Sequence, residues 1–405
     1  MNVTIDQNFK NVSDLMNDNL TEYIPYEQRP ETYFVPVLFL LIFVVGCLGN
    51  GTLVVIFLKH RTMRNVPNTY IFSLALADLL VIITSVPFTS IIYTVESWPW
   101  GELICKISET AKDISIGVSV FTLTALSADR FFAIVDPLKK FHTSSGGKKA
   151  TRITVGIALS IWILAILCAM PALIGSHIKE LRNEDGSIFL EVCYPFPTQW
   201  LNGTYPQVMV MSKFLVLYVV PLIIIFIFYV SMGISLILST RNAPGELQGM
   251  QRQIKARKKV AVTVFVFVFV FATCFAPLHI FMLFFYFKEN FQDLYNPFWH
   301  YFRIMGFCLC YMNSCANPVA LYFVSGAFRK HFNRYLLCKK QKRNRCSTCT
   351  SPHATTMSLV STKRHQSINK KPVTTSLTRR NVNVNNQETS VTLLGNGNND
   401  VNQII

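Results

Sequence analysis

Long apolar stretches recur along the chain and are separated by shorter polar segments. A helix needs about 20 mostly apolar residues to cross the hydrocarbon core of a bilayer. Six stretches reach this length, with Asp78 as the only charge among them. They run from Thr32 to Leu58, between Arg64 and Glu96, from Ile153 to Ile178, from Phe214 to Thr240, from Val260 to Phe287 and from Ile304 to Phe328. This pattern predicts six transmembrane helices.

A seventh span is predicted third in order, from about Leu103 to Val135, although only its centre, 114–128, is free of charge. The distribution of basic residues along the chain requires this seventh span. Lysine and arginine concentrate in the loops near 60, 140 and 250 and at the start of the tail, whereas the N-terminus is acidic. Basic loops stay in the cytoplasm, so the N-terminus lies outside, the tail lies inside and the number of spans is odd.

Composition supports this interpretation, because the chain is 51% hydrophobic and only 15% charged, against about 25% charged in soluble proteins. The net charge of +16 would suit nucleic-acid binding in a soluble protein. Here the cations lie between and after apolar runs, so no nucleic-acid partner is predicted. The sequence offers no cluster of nucleophile, base or metal ligands, and an enzyme is not expected. Residues 1–10 lack the apolar core of a signal peptide, so the first span is expected to act as its own signal.

Five asparagines stand in glycosylation sequences. Asn50 lies within a span, and its match is interpreted as accidental. The other four lie on the predicted outer side and are expected to carry glycans: Asn2, Asn11, Asn19 and Asn202.

Polar residues inside the spans are candidates for function, because they are costly in lipid. Asp78, Ser119 and Asn313 are predicted to offer oxygen ligands to a sodium ion, together with Ser314 and Asn317. The alternative is a carboxylate that neighbouring hydroxyls and amides satisfy.

The third span has one polar face. Lys112, Ser119 and Arg130 fall within roughly 20° of each other, and Lys112 and Arg130 are about 27 Å apart along the axis. This helix is expected to line an outer and an inner cavity, unless Lys112 only extends to the outer interface. Prolines inside five spans indicate a bundle that can rearrange: Pro87, Pro171, Pro221, Pro277 and Pro318.

A series of motifs in a fixed order, with at least one in each span, resembles the rhodopsin-like (class A) G-protein-coupled receptors over about residues 34–338. The motifs are Gly49-Asn50, the Leu-Ala-Leu-Ala-Asp run ending at Asp78, Cys105, Asp129-Arg130-Phe131, Trp162, Pro221, Tyr229, Cys274 to Pro277 and Asn317-Pro318. Met63 to Asn68, Asn313 to Tyr322 and Phe328 to Asn333 are similar to the bombesin receptor branch. Ser127 to Leu138 is similar to the invertebrate CCHamide neuropeptide receptors within it.

The resemblance implies residue roles. Cys105 would form a disulfide with Cys193 in the second outer loop. Asp129 would hold Arg130 until activation frees it toward the G protein. Leu138 would dock on the G protein. The remaining switch residues implied by the family are Tyr229, Phe271, Phe275, Pro277, Asn317, Pro318 and Tyr322.

Four positions depart from the family pattern. Phe131 replaces a tyrosine, and Phe275 replaces a tryptophan and so lacks the indole N–H. Leu321 occupies the usual tyrosine position of the seventh helix, with Tyr322 one residue further on. Arg257 stands where some members carry an acid that clasps Arg130.

The ligand is expected to be a peptide. Amine receptors carry an aspartate where this chain has Lys112, and opsins carry a lysine where it has Tyr311. The outer loop from His177 to Val208 is long enough for a hairpin lid. Charged pocket residues are expected to read polar groups of the peptide and its C-terminal amide, or alternatively to form interfacial salt bridges. They are Lys112, Asp113, Glu109, His279, His300 and Arg303.

After the seventh span, Ala327 to Leu337 is predicted to form an amphipathic helix on the membrane. Cys338 is a predicted palmitoylation site, and Cys346 and Cys349 are further candidates, unless all three are free thiols. Beyond Ser347 the tail is polar and predicted to be disordered, with serines and threonines that receptor kinases would phosphorylate to recruit arrestin.

The sequence therefore predicts an all-α membrane fold, a seven-transmembrane helix bundle with a short amphipathic helix 8. We expect a glycosylated extracellular N-terminus at 1–33, the receptor domain at 34–338 and a cytoplasmic tail at 339–405. The expected function is a plasma-membrane receptor for an amidated CCHamide-like or bombesin-like neuropeptide, acting through a heterotrimeric G protein, with Gq and calcium release implied by the resemblance. The alternatives are another peptide with other coupling, or a peptide-scavenging receptor that does not signal. A transporter or channel is a third alternative, but the sequence lacks the inverted repeat or broken helices that it would predict.

Overall fold

The structure is a computed structural model that describes residues 28–95, 97–135, 147–182, 188–241 and 248–336. Seven of its helices are long and apolar enough to cross a membrane, including the charged third one. The predicted seven-helix bundle is confirmed. The helices are α1 (Pro30–Lys59), α2 (Val66–Thr84), α3 (Gly101–Val135), α4 (Gly147–Gly175), α5 (Tyr205–Phe214, Leu215–Val219 and Val220–Arg241), α6 (Gln248–Phe287), α7 (Pro297–Val324) and α8 (Gly326–Tyr335).

Several helix ends differ from the apolar runs for identifiable reasons. Helix α1 begins at Pro30, and α5 begins at Tyr205 with Pro206 in its first turn, where a missing N–H costs nothing. The second apolar run is broken after Thr84, and two short helical segments, Val86–Ser90 and Ile92–Val95, continue it. Proline at the start of the first segment cannot donate to the preceding turn.

The bundle buries one face of each helix and leaves the other apolar face open. Helix α3 is central and packs against α2, α4, α5 and α6. Large apolar side chains such as Leu159 and Phe226 remain 60% and 67% exposed. An apolar outer surface of this extent fits lipid and not water.

Helices approach closely where one of them carries a glycine. A Cβ atom on Gly49 of α1 would lie 2.6 Å from Cγ of Pro318 in α7. A Cβ atom on Gly306 of α7 would lie 3.0 Å from the backbone nitrogen of Leu278 in α6. The seventh helix is therefore in close contact with both of its neighbours.

One end of the bundle, called the hairpin end below, carries an antiparallel hairpin of β1 (His177–Arg182) and β2 (Ile188–Tyr194). The hairpin predicted for the long loop is confirmed. A disulfide joins Cys105 in α3 to Cys193 in β2, as expected from the resemblance. The backbone N–H of Trp98 donates to the carbonyl of Glu191 at 2.8 Å and fixes the same strand from a second side.

Helix α8 lies at the opposite end of the bundle. Phe328 and Phe332 on one side of it are 6% and 3% exposed, whereas its cations Arg329, Lys330 and Arg334 are exposed. Its Tyr335 hydroxyl lies 3.1 Å from Nε2 of His60 in the turn after α1. The amphipathic helix expected after the seventh span is therefore present and packed on the bundle.

Candidate functional site

The charges expected in the pocket at the hairpin end are arranged as ion pairs. Glu109 and Lys112 lie one turn apart on α3, with 2.5 Å between Oε2 and Nζ, and each side chain is 15% exposed. The ammonium group of Lys112 is thus neutralised within its own helix. It does not extend to the outer interface as a free cation.

Asp113 forms a second pair with a residue that the sequence reasoning missed. Its carboxylate is 3% exposed and lies 2.6 Å from Nζ of Lys213 in α5, so the pair joins α3 to α5. Nζ of Lys213 also lies 5.4 Å from the ring centre of Phe196. Lys213 is the only charged residue from Tyr205 to Ser235, which was a usable signal. The predicted span begins at Phe214 and therefore excludes Lys213.

The two ion pairs involve neighbouring residues of α3 and together carry no net charge. Tyr311 is fully enclosed, and its hydroxyl lies 3.2 Å from both the Ser85 and Thr89 hydroxyls. A cavity of about the size of one water molecule lies next to Tyr311. Lys112, Phe275, Tyr311 and Asn313 are among the residues that line it.

Two further residues expected in the pocket, His279 and Arg303, lie on α6 and α7. His279 packs between the rings of Phe214 and Tyr218 of α5, at 5.6 and 4.8 Å between ring centres. Arg303 is partly buried, and no carboxylate of the described residues forms an ion pair with it. Of the expected pocket cations, Arg303 is therefore the one that the described part of the chain leaves unneutralised.

The rim between α1 and α7 is closed by a hydrogen-bonded chain of three side chains. Oε1 of Glu31 lies 2.9 Å from Nε2 of His300, whose Nδ1 lies 3.2 Å from the Tyr295 hydroxyl. His300, expected in the pocket, is thus engaged by the N-terminal end of α1.

The hairpin is tied to α6 as well as to α3. The hydroxyls of Tyr194 in β2 and Tyr286 in α6 lie 3.0 Å apart, and Nε2 of Gln207 donates to the Tyr286 carbonyl at 3.1 Å. Burial raises the pKa of the Tyr194 hydroxyl, so this side chain stays neutral at physiological pH. The lid is held on two of the helices that form the pocket.

The expected cation ligands are all buried within the bundle. Asp78 is fully buried, and its Oδ2 accepts a hydrogen bond of 2.9 Å from Nδ2 of Asn317. Its Oδ1 and the Ser119 hydroxyl are buried with no hydrogen-bond partner among the described residues. Asn313, at 4% exposure, is also buried here. A carboxylate and a hydroxyl oxygen left unpaired in a buried site are what a hard cation requires, so the residues fit sodium.

At the opposite end, the side chains of Asp129 and Arg130 form an ion pair. The Tyr229 hydroxyl of α5 donates to the Ala261 carbonyl of α6 at 3.0 Å. Helix α6 is therefore held against α5 at this end, and Arg130 is held by its neighbour. The side chain of Arg257 and residue Leu138 lie outside what the structure describes.

The residues of α6 and α7 that differ from the family pattern, Phe275, Leu321 and Tyr322, make contacts that follow from these differences. Phe275 is 2% exposed and packs on Phe271 with 4.6 Å between ring centres, so an apolar contact occupies the place of a tryptophan. Leu321 is 1% exposed in the core. Tyr322, one residue on, donates its hydroxyl to Oδ1 of Asn333 in α8 at 3.1 Å. The one-residue shift therefore directs this tyrosine toward α8.

Of the expected modification sites, Asn202 is described and is exposed in a turn before α5. Asn50 is buried in α1, where Nδ2 donates to the Gly46 and Ser314 carbonyls at 3.1 and 2.8 Å. Its structural role agrees with the interpretation that its glycosylation motif is accidental. The remaining sites lie outside the described residues: Asn2, Asn11, Asn19 and Cys338.

Comparison with known proteins agrees with the motifs. The family model described as 7 transmembrane receptor (rhodopsin family) matches residues 49–322. The chain is 55% identical to the Neuropeptide CCHamide-1 receptor of Drosophila melanogaster over 395 residues, which are 96% of this chain and 77% of the relative. It is 38% identical over 309 residues to a bombesin receptor of Bombina orientalis, covering 76% of each chain.

Proposed function

Because the chain belongs to the rhodopsin family of seven-transmembrane receptors, we propose that it is a G-protein-coupled receptor for a neuropeptide of the CCHamide and bombesin type. It is a multi-pass membrane protein of a receptor family and not of an enzyme class. The similarity to the CCHamide-1 receptor extends over nearly the whole chain, so the proposal concerns the entire receptor and not only its fold.

The observation that carries the proposal is the difference between the two ends of α3. Its hairpin end carries the Glu109–Lys112 pair and is linked by a disulfide to the hairpin, and its opposite end carries the Asp129–Arg130 pair. Two separate sites on one rigid helix are what a ligand-switched receptor needs. Peptide and G protein must each raise the affinity for the other when both favour the same state of the bundle.

The pocket supports a peptide with an uncharged polar end. The two ion pairs carry no net charge, because Glu109 is paired with Lys112 and Asp113 with Lys213. A free carboxylate would gain no net attraction there, whereas a C-terminal amide both donates and accepts hydrogen bonds. Arg303, which no described carboxylate neutralises, is the residue that would bind a carbonyl or acidic group of the peptide. His279 would contribute through its packed ring.

The hairpin end would face outward, with the glycosylated N-terminus beside it, and the α8 end would face the cytoplasm. The three exposed cations of α8, Arg329, Lys330 and Arg334, fit the basic side of a membrane protein. Release of Arg130 from Asp129, and of Tyr229 from Ala261, would open the cytoplasmic end to the G protein, with Leu138 in the contact. We propose Gq coupling, palmitoylation at Cys338, and recruitment of receptor kinases and arrestin by the tail.

The buried oxygens of Asp78 and Ser119, with Asn313, would hold a sodium ion. A bound cation would supply the charge that balances the buried carboxylate. The hydrogen bond from Asn317 to Asp78 joins α7 to α2 at this site.

The test is a calcium measurement in cells that express the receptor and are challenged with amidated neuropeptides, including CCHamide-like and bombesin-like ones. We expect a saturable response to one peptide that Arg130→Ala abolishes at equal surface expression. Arg303→Gln should raise the half-maximal concentration about 10- to 100-fold, because it removes a charged hydrogen bond at the ligand.

Each part of the proposal can fail separately. The same peptide with a free C-terminal acid should be much weaker, and equal potency would refute the amide assignment. Peptide binding with neither calcium release nor G-protein activation would instead support a scavenging receptor. Activation of a different G protein would refute only the Gq assignment.

A further inference from the structure

Helix α5 contains one irregular turn, and a tyrosine in that turn contacts the irregular part of α6. Residues Leu215–Val219 form a single π-helical turn, a feature that is rare and frequent at functional positions. Tyr218 in this turn donates its hydroxyl hydrogen to the Ala272 carbonyl of α6, with an oxygen–oxygen distance of 2.9 Å. A hydrogen bond between helices in an apolar surrounding has no water competitor, so it is worth more than its counterpart in solvent.

The bond reaches α6 beside Pro277, and helices bend at internal prolines. Pro277 lies inside α6 and has no N–H to donate, so the turn between Thr273 and Pro277 lacks one helical hydrogen bond. Ala272 lies just on the α8 side of that turn. A helix with a missing bond can change its bend at this turn at low cost.

Tyr218 touches α6 on both sides of the bend. On the hairpin side its ring is 4.8 Å from the ring of His279, and on the α8 side it is 6.4 Å from the ring of Phe271. Phe271 in turn packs on Phe275. When the two halves of α6 change their relative angle about Pro277, Tyr218 cannot keep both sets of contacts.

A second tyrosine of α5 repeats the arrangement three turns further on. Tyr229 is 11 residues after Tyr218, and its acceptor Ala261 is 11 residues before Ala272. Eleven residues of α-helix return to nearly the same face after about 16.5 Å. Two hydroxyls on one face of α5 thus bind two carbonyls of α6, one beside the bend and one near the α8 end.

We propose that Tyr218 is a positioning residue that holds the bend of α6 in the resting state and relays contact at His279 to it. This inference rests on the proposed receptor function and deepens it. A ligand that displaces His279 displaces the ring packed against it, which strains the bond to Ala272 and favours the other bend. Tyr218 acts through α6 and does not need to touch the ligand.

The test compares two variants that each remove one hydroxyl beside the bend. Tyr218→Phe keeps the ring and its stacking and removes only the bond to Ala272. Thr273→Val is the matched control, because among the described residues the exposed Thr273 hydroxyl bonds only to the Phe269 and Val270 carbonyls of its own helix. Tyr218→Phe should raise peptide-independent G-protein activation about fivefold, the factor that corresponds to one hydrogen bond of about 1 kcal/mol. Thr273→Val should leave it unchanged.

A structural readout keeps this inference separate from the receptor proposal. Spin-label amino acids at the exposed positions Val262 in α6 and Ile153 in α4 report the position of α6 without ligand or G protein. Tyr218→Phe should increase the population with the longer distance even if no peptide or G protein is ever found. An unchanged distance distribution and unchanged basal activity would overturn the role of Tyr218. A lower basal activity would also overturn it, because the bond would then belong to the active state.

Discussion

The ion pair between Asp113 and Lys213 yields a stability prediction whose sign depends on which partner is removed. The Asp113 carboxylate is 3% exposed, whereas the Lys213 side chain is 19% exposed. Lys213→Met leaves a buried carboxylate without its partner and should cost about 3–5 kcal/mol. Asp113→Leu leaves an ammonium that can move toward water, so it should cost only about 1–2 kcal/mol.

Removing both charges should restore most of the stability. In the double variant, leucine and methionine replace the pair with apolar side chains of similar length, and such replacements are often neutral. The double variant should therefore lie within about 1 kcal/mol of the natural receptor. The double-mutant cycle would then give a coupling energy of several kcal/mol between α3 and α5.

The measurement is the apparent unfolding temperature of purified receptor in detergent at one fixed scan rate, since membrane proteins often unfold irreversibly. Lys213→Met should lower it by roughly 6–10 °C, at about 2 °C per kcal/mol for a large chain. Equal losses in the two single variants would refute the argument from unequal burial. A double variant less stable than either single variant would refute the pairing itself.

Two further predictions concern covalent and steric constraints. Replacing both Cys105 and Cys193 by serine opens an 88-residue loop and should lower the free energy of unfolding by about 4–5 kcal/mol. The expected result is a loss of surface expression and of peptide binding. Surface expression at the natural level would contradict this prediction. Gly49→Ala brings a Cβ atom to 2.6 Å from Pro318 and should cost about 1–3 kcal/mol in the same thermal assay. Gly51→Ala, with nothing within 4 Å of the added Cβ, is the matched control and should be neutral or slightly stabilising.

The fold was within reach of sequence reasoning because each transmembrane helix is a local feature. A run of about 20 apolar residues predicts a span with no knowledge of its neighbours. The third span was accepted only through loop charges, and the structure explains why its charges are tolerated. Lys106 is paired with Glu102, Lys112 with Glu109 and Asp113 with Lys213. A hydropathy score assigns a cost to each charged residue separately, whereas the cost of placing a charge in the membrane is lower when an opposite charge is paired with it.

The state of the pocket charges could not be predicted from the sequence. Lys112, Asp113 and Arg303 are all predicted to be pocket residues, and the order of residues does not show which of them are paired. The structure separates Arg303 from the two charges that are already compensated. The partner of Asp113 lies 100 residues away in the chain, at a helix end that an apolar count had excluded.

The number of spans, the hairpin of the long outer loop and the family can be predicted from the order of residues, because they follow from local apolar runs, loop charges and short motifs. The packing of the helices is needed to know which charges cancel, which oxygens of Asp78 and Ser119 stay unpaired, and that Tyr218 contacts α6 beside Pro277. The physical reason is that apolar burial depends on composition and has no direction, whereas hydrogen bonds and ion pairs act over about 3 Å and depend on how helices rotate and slide against each other.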